Sequence, residues 1–289
     1  MAWVLELVEN ALAQLSAANW AAAAVAFFVH IVNVVVRTRA WHNIVVAAHT
    51  ETRVSWRRIF SAYVAGAGVN AISPWRGGEL LRLTIARRAV TGSTCASLGA
   101  TIVVESAFNT FAATCILGFL ALSGAASMGH ADPASLLLVF ALVGTALAGA
   151  HACGLGRRLL TEAATGLRVL RQPGFYFVRV VPWQGLDWAL RLATMFLFMR
   201  AFGLGGGLGT LLLVQAAQSA SGLLPLAPAR VGTKQALLAY ALGVQTSPAT
   251  VLAFVAGSEL VLVGCNVALG LAGVALLGGA RLRQAPAPA

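Results

Sequence analysis

Residues 74–82 read P-W-R-G-G-E-L-L-R, and they interrupt an apolar run that extends from about residue 59 to 90. Proline removes a backbone donor and glycine loosens a helix, so this run reads as two short helices around an irregular turn. The charges at the turn, Arg76, Glu79 and Arg82, are expensive at bilayer depth. Ionisable groups placed there usually mark a working site. A second apolar run, 208–243, is broken in the same way by P-L-A-P-A-R-V-G at 225–232.

The sequence around both runs is that of a membrane protein. Of 289 residues, 59% are hydrophobic and only 10% charged, whereas a soluble domain carries about 25% charged residues. Mean hydropathy is +0.82. Too little polar surface is available to cover a water-soluble body. Alternating ten-residue strand patterns are absent, which argues against a barrel. Uninterrupted spans are expected at roughly 11–36, 93–122, 133–155, 184–204 and 249–278, each near or above the roughly 20 apolar residues a crossing needs. The fold class expected is an all-α polytopic membrane protein, a single transmembrane domain over 1–289 with about five full spans and two re-entrant broken-helix hairpins. No removable signal peptide is expected, because residues 1–10 carry Glu6 and Glu9 and no basic residue.

The net charge of +11 has two readings, nucleic acid or anionic lipid. No basic, aromatic-interleaved soluble domain is present to serve the first. For the second, fourteen of the twenty basic residues fall in four connections: Arg37 to Arg58, Arg87 and Arg88, Arg157 to Arg179, and Arg281 and Arg283. All fourteen lie on one face if each broken run enters and leaves on the same side. The positive-inside rule makes that face cytoplasmic. The N-terminus is then outside the cell membrane and the C-terminus inside. Residues 156–182, with several arginines and Phe175, Tyr176 and Phe177, are expected to form an interfacial helix.

The two broken runs repeat one another. At an offset of 154, Pro74 matches Pro228, Arg76 matches Arg230, Gly78 matches Gly232, Ser93 matches Ser247 and Glu105 matches Glu259. Three full spans separate the runs, and an odd number of crossings turns the second unit upside down. Repeat unit one covers about 59–122 and repeat unit two about 208–278. This is the pattern of an inverted-topology repeat, in which broken helices meet near the bilayer midplane around a polar cavity.

The stretch N-A-I-S-P-W-R-G-G-E-L-L-R, residues 70–82, resembles the N-x-x-x-P-x-R-x-G-E-x-x-R signature of the lysylphosphatidylglycerol synthase transmembrane region, the flippase-like membrane family. The resemblance covers about residues 20 to 280 and includes Glu105 and a looser P-x-x-P-x-R-x-G motif at Pro225 to Gly232. Many members read P-G-G-L-G-x-x-E at the second motif. Here Ala229 and Arg230 replace the glycines, and Gln235 stands in the acid's place. The chain is similar to a stand-alone transmembrane member without the soluble aminoacyl-transferase domain. The resemblance implies a role in moving lipids between leaflets.

The residue types suit that chemistry. The planar fork of Arg76 matches a phosphate bidentately. The N–H groups of Gly77 and Gly78 at a helix start add donors and a positive dipole end. Glu79 and Arg82, three apart, can pair on one helical face. Arg230, Gly232 and Lys234 would form a matching set, and the resulting positive excess favours an anionic head group. The alternative is that these charges pair only to pin the broken helices. Glu105 and Glu259 could be coupling carboxylates, counter-ions to the arginines, or structural acids. Asp187 and Arg191 are expected as a local ion pair. Asn70, Asn109 and Asn266 either line a cavity or bond between helices.

Other chemistries find no support. Histidines 30, 42, 49, 130 and 151 show no ligand spacing, and His30 is expected at the end of a span. Cys95, Cys115, Cys153 and Cys265 sit in apolar segments and are expected as small core residues. No metal, cofactor, Ser-His-Asp set or phosphate-binding GxxxxGK[ST] motif is indicated, so the chain is not expected to be an enzyme. The leading expectation is a translocase carrying an anionic phospholipid or polyprenyl-phosphate-linked lipid through a midplane basic cavity. The other readings are a membrane partner or scaffold of a lipid- or glycan-modifying enzyme, and an embedded transferase using Glu79 as a base.

Overall fold

The structure, a computed structural model, describes residues 2–73, 77–123, 157–221, 238, 242 and 246–282. Among the described residues the regular structure is entirely helical. The helices are α1 (Ala2–Ser16), α2 (Trp20–Ala48), α3 (Trp56–Ile72), α4 (Gly77–Ala89), α5 (Cys95–Leu122), α6 (Arg157–Gly166), a 3-10 turn (Leu167–Arg171), α7 (Pro173–Arg179), α8 (Val181–Ala201), α9 (Leu208–Ser221) and α10 (Pro248–Leu282).

Local chemistry sets several boundaries. Asn19 opens α2 by accepting the Ala22 N–H at 3.1 Å. Thr94 and Ser97 cap α5 reciprocally, each backbone N–H bonding to the other's hydroxyl at 3.1 Å. Ser247 caps α10 through the Thr250 N–H at 3.1 Å, and Pro248 stands at the first position, where its missing N–H costs nothing. Gly92, at φ +76°, turns the chain between α4 and α5 in a conformation that a side chain would strain.

Three of the described helices are long and apolar enough to cross a membrane: Trp20–Ala48, Cys95–Leu120 and Pro248–Leu277. Their outward faces are apolar, with Phe28 on α2, Phe111 on α5 and Leu271 on α10 all exposed. A soluble protein would bury such side chains, whereas a bilayer solvates them. The chain is an all-α integral membrane protein. α8 covers the expected span 184–204 as far as Ala201 and carries Asp187, Arg191 and Arg200. The expected span 133–155 and the break at 225–232 lie outside the described residues.

The first expected span requires correction. Residues 11–36 do not form one helix: α1 ends at Ser16, and α2 runs from Trp20 twelve residues beyond Val36. Arg37 and Arg39 therefore lie inside α2 rather than in a connection, and His30 lies well within the helix rather than at its end. Two cysteines also differ from expectation, since Cys95 and Cys115 are exposed while Cys265 is buried. Cys153 lies outside the described residues. The 156–182 segment is not one interfacial helix but α6, the 3-10 turn and α7 in succession.

The chain packs as two compact units. One comprises Met1–His30, Phe108–Leu155 and Trp188–Leu262; the other comprises Ile31–Ala107, Gly156–Asp187 and Val263–Ala289. In the first, Phe198, Phe202, Val214 and Phe254 form the centre of the core, and a Cβ on Gly257 would collide with the Phe202 ring. In the second, Trp41, Ile59, Ala62 and Leu98 pack together, beside a group formed by Ile44, Ala47, Val104, Val169 and Val180. Lipid tails are as apolar as leucine, so close packing and interhelical hydrogen bonds must hold such helices together. Gly68 and Gly270 serve this purpose. A Cβ on Gly68 would lie 2.9 Å from the Gly270 Cα, so α3 and α10 touch backbone to backbone.

Candidate functional site

The broken run 59–90 folds back on itself as an α3–α4 hairpin within the second unit. α3 stops at Ile72, where the extended Ser73 returns its N–H to Val69, and α4 starts at Gly77. Pro74, Trp75 and Arg76 lie outside the described residues. Two glycines let the arms meet. A Cβ on Gly78 would strike the Gly66 carbonyl oxygen and the Asn70 side chain, and one on Gly66 would lie 2.6 Å from the Gly78 oxygen. Asn70 then joins the arms with its amide. Its Oδ1 accepts the Gly78 N–H at 2.9 Å, and its Nδ2 donates to Glu79 Oε1 at 3.4 Å. Asn70 thus bonds between helices, and the Gly78 donor at the start of α4 is already used.

One and a half turns into the hairpin's second arm, Arg82 is buried, at 5% exposure. Its Nη2 donates to Glu105 Oε2 at 2.7 Å, and its Nη1 lies 3.5 Å from Glu79 Oε2. The guanidinium carbon sits 3.7 Å from the centre of the Trp41 ring and 4.4 Å from that of Tyr63. Such stacking suits a planar, weakly hydrated cation. Arg82 Nε and Glu79 Oε2 are buried with no hydrogen-bond partner among the described residues.

Helix geometry explains how Glu105 reaches this point. α2 and α5 each present residues four apart, which share a helix face. On α2 these are Arg37 and Trp41; on α5 they are Glu105 and Thr101. Arg37 Nε donates to Glu105 Oε1 at 3.2 Å, and Trp41 Nε1 donates to Thr101 Oγ1 at 3.0 Å. One turn earlier on the same α2 face, Asn33 Nδ2 donates to both the Asp187 carbonyl and its Oδ1, each at 2.8 Å. Arg191, four residues after Asp187, lies over the Trp188 ring at 4.7 Å. Trp188 in turn donates to Asn109 Oδ1 at 3.0 Å.

In the described part of the site, two guanidiniums therefore face two carboxylates. The positive excess expected from Arg76, Arg82, Arg230 and Lys234 rests mostly on residues outside the described ones; within them, α5 brings Glu105 into direct contact with both Arg82 and Arg37. Of the other expected residues, Gly77 is half-buried, and Glu259 is half-buried on α10 in the other unit. Arg230, Gly232 and Lys234 lie outside the described residues. Among the described residues no group of three or more His, Cys, Asp or Glu side chains is placed to hold a metal ion.

Sequence reasoning missed Arg37, Trp41, Tyr63 and Thr101 as members of this cluster, and Asn33 beside it. The available signal was the spacing of Asn33, Arg37 and Trp41, a polar stripe at every fourth residue of an apolar helix. No curated protein matches the chain, and neither does any solved structure. A family model does match, over residues 1–270, and it contains the hairpin, the buried arginine and both of the arginine's carboxylate partners. The chain belongs to the family of the lysylphosphatidylglycerol synthase transmembrane region.

Proposed function

We propose that this protein is a lipid translocase, passing an anionic phospholipid or a polyprenyl-phosphate-linked lipid between leaflets of the cell membrane, and not itself an enzyme. Membership of a family tied to membrane lipid metabolism supports the lipid. The observation that carries the reading is the burial of Arg82 between Glu79 and Glu105 on a hairpin arm too short to cross. α4 has 13 residues, which at about 1.5 Å each span about 20 Å, against a hydrocarbon core of about 30 Å. Such an arm fits a re-entrant element whose turn lies at depth and lines a cavity.

In this reading Arg76, at the turn, grips the head-group phosphate. Glu79, which holds Arg82 at the longer distance of 3.5 Å, lets go as the phosphate competes for the guanidinium. Glu105 retains Arg82 and Arg37 throughout, so the buried Arg82 and the half-exposed Arg37 are never left without a counter-charge. Arg230, Gly232 and Lys234 belong to this reading through their sequence pattern. So does the orientation with the N-terminus outside and the C-terminus in the cytoplasm.

The test is reconstitution into vesicles containing a trace phospholipid with a fluorescent head group, with a membrane-impermeant quencher reporting leaflet exchange. Wild-type protein should accelerate exchange, and Arg76→Ala and Arg230→Ala at matched folding should abolish it. Exchange that survives both substitutions defeats the phosphate-gripping mechanism. A covalently modified lipid appearing when a donor is added would favour a transferase. Absence of exchange together with tight co-purification of a modifying enzyme would favour a scaffold.

A further inference from the structure

The segment between Arg157 and Arg179 has two faces, and the described residues pack against one of them. Its three pieces have 10, 5 and 7 residues, so none can cross a bilayer. On the inner side, Val169 and Val180 are fully buried against Ile44, Ala47 and Val104. Asn43 Nδ2 donates to the Arg179 carbonyl at 2.6 Å, and the Tyr176 hydroxyl donates to Gln184 Oε1 at 3.3 Å. A Cβ on Gly166 would run into the Ser97 carbonyl, so the segment is held close to α5.

The outer side carries two kinds of side chain together. Leu170, Phe177 and Val178 are 55%, 66% and 70% exposed, and Arg168, Arg171 and Arg179 are exposed beside them. Residues 157–182 hold five arginines and a single acid, Glu162. Large apolar groups and exposed guanidiniums side by side match one environment, the boundary where acyl chains meet phosphates. Its strong positive balance selects anionic over zwitterionic lipid.

We propose that this elbow is a binding surface for anionic phospholipid, separate from the hairpin site. Arg168, Arg171 and Arg179 engage head-group phosphates, while Leu170, Phe177 and Val178 enter the acyl layer. The proposal needs only that the chain is embedded in a bilayer, so it stands or falls independently of lipid translocation.

The experiment attaches an environment-sensitive fluorophore at Phe177→Cys in a chain whose four native cysteines are alanine. The protein is reconstituted in phosphatidylcholine vesicles containing a minor fraction of phosphatidylglycerol. Nitroxide-tailed quencher is supplied on one lipid or the other at equal mole fraction. The expected result is stronger quenching by nitroxide phosphatidylglycerol, with a local enrichment of about fivefold for each engaged arginine. The preference should disappear in Arg168→Gln/Arg171→Gln/Arg179→Gln and persist in the corresponding triple lysine variant. It should weaken at about 0.5 M salt, where the Debye length is about 4 Å. It should remain in Arg82→Gln, which separates this surface from the hairpin. Equal quenching by the two lipids overturns the proposal. So does the absence of quenching by either lipid, or a preference that survives the triple glutamine substitution.

Discussion

Glu105→Gln should be the most damaging isosteric change in the hairpin unit. The carboxylate is buried at 4% exposure and meets Arg82 at 2.7 Å and Arg37 at 3.2 Å. Glutamine keeps the shape and one acceptor but removes the charge, leaving Glu79, at 3.5 Å, as the carboxylate beside the buried Arg82 among the described residues. Removing one partner of a buried pair costs about 3–5 kcal/mol, because the other charge is stranded. The half-exposed Arg37 contributes less, so Arg37→Gln should cost about 1 kcal/mol. Equilibrium unfolding in mixed micelles measures both. Arg82→Met combined with Glu105→Leu removes the pair while keeping volume, and should recover most of the loss suffered by Glu105→Gln alone. A Glu105→Gln protein within about 1 kcal/mol of wild type, or a double variant whose cost is the plain sum of its parts, would refute the claim that this ion pair is a coupled buried unit.

Further outcomes follow from the same contacts. Gly78→Ala places a methyl group against the Gly66 carbonyl and Asn70; it should destabilise by about 1–3 kcal/mol, whereas Gly77→Ala, where the nearest atom would be Ser73 Oγ at 3.7 Å, should be far milder in the same assay. Asn70→Ala removes the acceptor for the Gly78 N–H and should cost about 1 kcal/mol, with Asn70→Asp recovering part of it. Asn33→Ala should cost about 1–3 kcal/mol by leaving the buried Asp187 short of two hydrogen bonds. Burial pushes His49 below its ordinary value of 6.5. The unfolded chain therefore takes up the proton first. Stability is complete above about pH 6.5 and falls as pH drops through the folded-state value. His49→Gln should flatten that part of the stability–pH profile.

Much of the hairpin was legible because its signals are local. Proline and two glycines mark the turn, and the three-residue spacing of Glu79 and Arg82 defines their pairing without any tertiary information. The start of α5, expected at about residue 93 from apolar length, falls at Cys95, and the Thr94–Ser97 cap that fixes it was not read from the sequence. Arg37 was misplaced because hydropathy ends a span at the first charge, while a helix continues wherever a partner awaits that charge. Glu105 lies 68 residues along the chain from Arg37, and no local pattern announces so distant a partner. Cys95 and Cys115 show a different limit. In a membrane chain an apolar segment faces either protein or lipid, so low polarity does not imply a place in the core.

The polar stripe on α2 constrains how this part of the molecule can move. Asn33, Arg37 and Trp41 are spaced about 6 Å apart along the axis, like teeth on a rack, and each meshes with a different mate: Asp187, Glu105 and Thr101. A small slide would disengage all three at once, with no intermediate grip. A slide of a whole tooth would offer Asn33 or Arg37 the mate that its neighbour had just left. Axial travel of α2 against these partners is therefore resisted at small amplitude and can come to rest only in steps of about one helical turn.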